Sequence, residues 1–345
     1  MNRTQTDELL HSSQVLIVMG TGGVGKTTAS AALAYRAAVL GKRTVVLTID
    51  PSMRLKSLFH LEKPSEEPVS IPLEDFISGS LSALLPSTKH VFSHFLDKLT
   101  EDEELKNRIL KNRIFRVFSQ EFSGAQEYMA LKRVEMLVAS NHYDLIIVDT
   151  PPAENTLEFL DAPKLLGRLF EEGLLQRLLG QSSRLLSFGI NSALSVLKKL
   201  TSAHFFSDLI EFSSALFEVR ERFKENLDRI ERTLHADTTR YLVVTTPREE
   251  SIHSIQELSQ YLQNSERSLA GVLLNRTLSA LPSESPTSTP SNPEWFHSLL
   301  EDERRVLGLF QNQLKITSMM LPELNRDILS LEDLYVFSNA FQDPS

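Results

Sequence analysis

The stretch from Gln14 to Asp50, QVLIVMGTGGVGKTTASAALAYRAAVLGKRTVVLTID, decides the fold. Gln14 to Gly20 is a short apolar run ending in glycine, the pattern of a strand buried on both faces of a parallel sheet. Lys26 to Gly41 is rich in alanine, keeps its apolar residues at helical spacing and stops at a glycine, a natural helix terminator. Arg43 to Asp50 reads as a second strand. Strand, helix and strand in so short a span form a βαβ unit, and the right-handed crossover of such units implies a parallel sheet.

Further buried strands read at Tyr143–Thr150, Arg240–Thr246 and Leu269–Asn275, with a weaker one at Lys315–Leu321. Helical patterns separate them. The expected fold class is α/β, a doubly wound, mostly parallel sheet with helices on both faces. Two segments interrupt the alternation, from about Leu81 to Ala139 and from about Pro163 to His235, and both read as helical. They are expected to form a helical subdomain inserted into a single domain spanning residues 1–345. Pro282 to Pro293, PSESPTSTPSNP, reads as a mobile surface loop.

Composition narrows the function. The formal net charge is −9, which disfavours bulk nucleic-acid binding. The chain has no cysteine, so disulfides, thiolate-held zinc and thiol chemistry are excluded. The opening residues, MNRTQTDELLHSSQ, hold no apolar run of the kind a secretory leader needs, and no segment has the ~18 apolar residues of a membrane span. A cytoplasmic location is expected.

Between the first strand and its helix, Gly20-Thr21-Gly22-Gly23-Val24-Gly25-Lys26-Thr27 satisfies the pattern G-x-x-x-x-G-K-[ST]. Glycines let the backbone curl until successive N–H groups converge on phosphate oxygens. The helix that starts at Lys26 adds its positive end. Gly22, Gly23, Val24, Gly25, Lys26, Thr27 and Thr28 are the candidate nucleotide contacts. The Lys26 ammonium would reach the β- and γ-phosphates, and the Thr27 hydroxyl would ligate Mg2+. The alternative, a glycine-rich turn with no ligand, is disfavoured by the strand before it and the helix after it.

Hydrolysis also needs a carboxylate near the metal and a group that orients water. Asp149 closes the strand YDLIIVD, at the sheet edge where α/β folds bind ligands, and is the candidate carboxylate for Mg2+. Asp50 closes RTVVLTID at the same edge. It can orient the attacking water, or it can open an Asp-Pro turn with Pro51. Spacing alone does not choose.

Three blocks in this order, GTGGVGKTT, TIDPSMRL and DTPPAENTLEFLDAP, resemble the arsenical-pump and guided-entry branch of the P-loop ATPases, the ArsA-like family. LLNRT and LPEL, further along, resemble its adenine-side elements, and the likeness spans nearly the whole chain. The resemblance implies a Mg2+-dependent ATPase that couples ATP hydrolysis to a partner and works as a nucleotide-controlled dimer, here a homodimer or a heterodimer with a paralogue. It implies that Asp50 is the water-activating carboxylate of switch I and that Asp149 to Asn155 form switch II. Asn275 would contact adenine and Pro322 would flank the base. One check stands apart from the family. GTPases read guanine with Asn-Lys-x-Asp; here the run is Asn275-Arg276-Thr277-Leu278, and Leu278 cannot accept a hydrogen bond, which favours ATP over GTP.

The sequence also departs from that pattern. Thr21 stands where the family carries a signature lysine that reaches the partner's phosphates across the dimer. A threonine is too short and too neutral for that role. Arg54, four residues past Asp50, is the candidate catalytic substitute, because a guanidinium fork suits phosphate; the plainer reading is a surface arginine at a helix start. Glu154-Asn155 replaces the Gly-His pair of guided-entry members. Without cysteine there is no arsenite site and no zinc bridge between subunits.

Pro163 to Leu200, PKLLGRLFEEGLLQRLLGQSSRLLSFGINSALSVLKKL, carries paired leucines at helical spacing. The stripe either packs against sister helices and the sheet, or forms a groove for an apolar helix or a membrane-protein client. The leading expectation is an ATPase whose hydrolysis resets a dimeric or partner-bound conformation. The alternatives are an ATP-binding switch or scaffold without turnover and a surface-positioning ATPase of the ParA or MinD kind.

Overall fold

The computed structural model describes residues 4–49, 53–61, 64–65, 67–86, 96–97, 99–113, 123–151, 156–157, 159–164, 205–267, 269–280, 294–314, 316–324 and 327–343. The elements, in chain order, are α1 (Gln5–Ser12), β1 (Val15–Met19), α2 (Lys26–Val39), β2 (Arg43–Thr48), α3 (Met53–Leu58), β3 (Val69–Ile71), β4 (Ser80–Leu84), α4 (Glu103–Lys111), α5 (Ser123–Ser140), β5 (Leu145–Asp149), α6 (Phe205–His235), β6 (Thr239–Thr245), α7 (Glu250–Asn264), β7 (Leu269–Thr277), α8 (Glu294–Leu314), β8 (Ser318–Pro322) and α9 (Leu331–Ser338).

Eight strands form one sheet in the order β3-β4-β2-β5-β1-β6-β7-β8. Every pairing is parallel except β3 with β4. This is the α/β, mostly parallel sheet that the βαβ reading implies. β1, β5 and β8 are buried along their whole length, which is why they read as unbroken apolar runs rather than alternating ones. The chain leaves β1 toward β2 on one side, while β6 adds on the other. The end of β1 is therefore a topological switch point, where such sheets bind ligands.

Alanines on α2 set its approach to the sheet. Ala29, Ala31, Ala32, Ala34, Ala37 and Ala38 are all fully buried, and with Leu33 and Tyr35 they sit in a core cluster that includes Leu16, Val18, Val46 and Ile147. Small side chains let the helix lie close, so the loop before it is held tightly to the strand ends.

The chain divides into two compact units. One comprises Met1–Pro86, Leu137–Thr156 and His235–Ser345, and carries the sheet. The other comprises Ser87–Met136 and Leu157–Leu234, and its described residues are helical. In the second unit Lys132 Nζ donates to Glu135 Oε2 at 2.5 Å and to Asn226 Oδ1 at 2.6 Å, and Arg229 donates to the same Asn226 oxygen at 2.6 Å. Tyr128 stacks on Phe223 beside them at 5.4 Å between ring centroids, and burial pushes its phenol well up. Deleting one partner of a buried ion pair costs about 3–5 kcal/mol, whereas apolar replacement of the whole set is often neutral. The network therefore fixes which faces of α5 and α6 meet more than it adds to stability.

One sequence expectation is corrected. The helical reading from Leu81 begins too early: Ser80–Leu84 is strand β4, parallel to β2, and its burial alternates at its start as a half-covered strand requires. Leucines in Ser-Leu-Ser-Ala-Leu fit both periods, and the partner strand decides. The polar opening stretch, to which the sequence reading assigned no element, forms α1. Thr4 caps it, Arg36 grips Asp7 through two bonds of 2.8 Å, and Lys42 Nζ donates to the carbonyls of Leu10, His11 and Ser13. Pro282 to Pro293 and the leucine stripe beyond Lys164 lie outside the described residues. Among the described residues no helix is long and apolar enough to cross a membrane.

Arg43 and Asp144 tie the beginnings of β2 and β5. The Arg43 guanidinium donates to both Asp144 oxygens and its backbone N–H adds a third bond, so the carboxyl is held down to about 2. A depressed carboxylate stabilises the fold above its unfolded pKa, about 3.9, and that contribution disappears as pH falls through the folded value. Thermal unfolding from pH 7 to pH 2 should show Asp144→Asn less stable than wild type by a constant margin above about pH 5, with the margin closing toward pH 2.

Candidate functional site

The loop between β1 and α2 is shaped by its glycines and by what lies behind them. Gly25 has φ +88 and ψ 24, the left-handed conformation that a side chain disfavours. Gly20 has φ +150, and a Cβ there would lie 2.1 Å from the Val244 carbonyl oxygen, so β6 forms the wall behind the loop's entry. Gly22 and Gly23 face open space. The result is a backbone curl with a closed back and an open front.

α2 begins at Lys26 with no side chain capping it, whereas Thr4, Asp102 and Ser330 cap α1, α4 and α9. A helix start of this kind, behind a glycine-rich curl and without a side-chain cap, suits an anion. The Lys26 side chain is buried and its ammonium donates to the Thr21 carbonyl at 3.1 Å. A triphosphate would compete with that carbonyl for the charge. Any residue at position 21 supplies the carbonyl, so this contact is indifferent to the threonine that replaces the family's lysine.

Asp149 ends β5 and is fully buried. Parallel pairing sets it level with Val18 of β1 and Thr48 of β2. Its Oδ2 accepts from the Thr27 hydroxyl at 2.8 Å and from the Thr48 hydroxyl at 3.0 Å. Thr27 and Asp149 are thus brought together across 122 residues of sequence. The hydroxyl and carboxylate are hard oxygen donors beside an anion-binding loop, and that donor set fits Mg2+.

A cavity of about 360 Å³ opens next to the loop. Gly25, Thr27, Thr28, Asn275, Pro322 and Leu324 all line it. The predicted phosphate-side and base-side residues therefore share one cavity. Arg276 and Glu323 face each other at its edge, 3.8 Å apart. The Asn275 amide donates to the Val24 carbonyl at 2.8 Å.

Asp50 and switch II residues 152–155 lie outside the described residues, as does the side chain of Arg54, whose backbone is in α3. Sequence reading missed Thr48 and Arg276. Thr48 had one available signal, its place two residues before Asp50 on a strand expected to end at the same sheet edge as Asp149. Arg276 had none, because its position depends on φ +62 at that residue.

Comparison with known proteins covers nearly the whole chain. The family model described as anion-transporting ATPase matches residues 13–343. The chain is 26% identical over 332 residues to a protein of Aquifex aeolicus named an arsenical pump-driving ATPase, covering 94% of this chain and 98% of that one. It is 24% identical over 334 residues to ATPase GET3A of Arabidopsis thaliana, covering 95% and 84%. Against ATPase get3 of Pyrenophora tritici-repentis it is 26% identical over 274 residues, covering 76% and 73%.

Two substitutions test the site. Lys26→Met should abolish MgATP binding in titration calorimetry. Thr48→Val, which leaves Asp149 one hydroxyl fewer, should raise the Mg2+ concentration needed for half-maximal ATP binding by about tenfold, the effect of one hydrogen bond to a charged group.

Proposed function

The chain belongs to the anion-transporting ATPase family and is an ATP-hydrolysing enzyme, and from that premise we propose that its turnover drives a conformational switch acting on a protein partner or an apolar client. In this reading the amides of residues 22–28 and the Lys26 ammonium hold the phosphates. Thr27 and Asp149 together manage Mg2+, with the Asp149 carboxylate accepting from the Thr27 hydroxyl. When bound, the metal neutralises charge on the β- and γ-phosphates. Asp50 orients the attacking water, Asn275 contacts adenine, Pro322 flanks it, and Arg54 supplies the cation missing at Thr21.

The Thr27–Asp149–Thr48 cluster carries the reading. Asp149 joins the loop threonine to two strand ends. One residue on, the Thr150 hydroxyl donates to Val18 O at 2.9 Å, and the Thr156 hydroxyl donates to Pro151 O at 3.0 Å. A group that senses the nucleotide is thus one peptide bond from the segment that would report it. This is the arrangement by which γ-phosphate switches act: local oxygen contacts hold a segment that hydrolysis then releases.

The switch is proposed to act in a dimer of this chain or with a paralogue, in the cytoplasm. Metalloid transport is disfavoured because no thiolate is present to hold arsenite. The leucine stripe from Pro163 to Leu200 suits an apolar helical client.

Steady-state phosphate release tests the chemistry. Asp50→Asn should lower kcat by about 10²-fold or more while leaving MgATP affinity within a few fold. Turnover equal to wild type would remove Asp50 from its role. Arg54→Ala should slow turnover in proportion to its reach, by at least about tenfold if it acts as an arginine finger. Light scattering should show a larger species with MgATP than with MgADP; the same mass in both states would count against the nucleotide-controlled dimer.

A further inference from the structure

We propose that Asn275 is a positioning residue for the phosphate loop, coupling the base end of the cavity to the phosphate end. The inference rests on the reading of this cavity as the ATP site and goes beyond a contact with the base.

Asn275 is buried on β7, and its Nδ2 donates to the carbonyl of Val24, the residue before the left-handed kink at Gly25. The orientation of the amide follows from chemistry. Only the NH2 end can face a carbonyl, because two carbonyl oxygens at that distance would repel. Oδ1 and the second N–H therefore remain for a ligand, and one planar group serves both the loop and the cavity.

The fit at Gly25 is close. A Cβ built there would stand 2.4 Å from Asn275 Nδ2, so the amide occupies the space that only glycine leaves. The strand is also shaped to deliver it. Pairing of β7 with β8 shifts register between Leu274 and Thr277, and Arg276 within that interval has φ +62. Strand irregularities of this kind re-aim a side chain, and this one falls at Asn275.

The consequence is cooperative binding. A base that engages the free side of the amide holds it against Val24. That fixes the kink at Gly25 and with it the direction in which the loop amides point. Phosphates that settle into the loop in turn hold the amide for the base, since coupling between two ligands is reciprocal.

Magnesium tripolyphosphate, which has phosphates and no base, separates positioning from base reading. Asn275→Ala should weaken its binding by about tenfold, the effect of one buried hydrogen bond, with a thermal midpoint close to wild type. Asn275→Asp keeps the volume but turns an acceptor toward Val24, and should weaken it at least as much. Loss of ATP affinity with unchanged tripolyphosphate affinity would overturn the proposal. The wild-type protein provides a test that needs no variant to fold: saturating adenine should raise the affinity for magnesium tripolyphosphate, and independence of the two ligands would also overturn it. A wild type that binds neither ATP nor tripolyphosphate sinks the proposed function itself, an outcome distinct from the others.

Discussion

One buried carboxylate organises the chemistry of this molecule. Asp149 has no exposed surface and accepts hydroxyl bonds from Thr27 and Thr48. An ionised group in such a place is costly unless its environment compensates it. The compensation comes from three strands at once. β5 supplies the carboxylate, β2 supplies Thr48, and β1 leads into the loop whose helix supplies Thr27. A one-residue slip in either pairing would turn Asp149 to the other face and leave its charge without these partners. Register in the centre of the sheet is thereby tied to the position of the phosphate loop.

The loop depends as much on the strands behind it as on its own glycines. β6 blocks any side chain at Gly20, and β7 reaches in through Asn275 to the Val24 carbonyl. β1 ends beneath it. A glycine-rich segment loses more conformational entropy on ordering than any other, so a wall on each side is what holds it in one curl. The adjoining cavity is lined by the start of α2, the end of α3, the end of β7 and the segment that follows β8, which is how residues near positions 25, 275 and 322 line one space.

The two compact units carry polar residues in different ways. In the sheet-bearing unit, Thr48, Asp149 and Asn275 are buried close to the strand ends beside the phosphate loop. In the helical unit the buried Lys132, Glu135 and Asn226 form one network with the half-exposed Arg229. Matched pairs three residues apart on each helix interlock only in one alignment, and a slide by a turn would strand the charges.

Local sequence determined a good deal. Every strand expected from an apolar run between Gln14 and Leu321 is present, with ends displaced by at most three residues, and α2 starts at Lys26 as its motif requires. The loop, its lysine and threonine, and the carboxylate closing β5 were legible because each is signalled by neighbours within a few positions. What the sequence could not decide was anything resting on a distant partner. Ser80–Leu84 became a strand because β2 offered it an edge, and Gln5–Ser12 became a helix because Arg36, Lys42 and Asp343 hold it. The Asn275 amide meets Val24 across 251 residues. Periodicity and motif spacing report on what a segment does alone, whereas burial, register and the aim of a side chain are set only when strands far apart in the chain come to lie side by side.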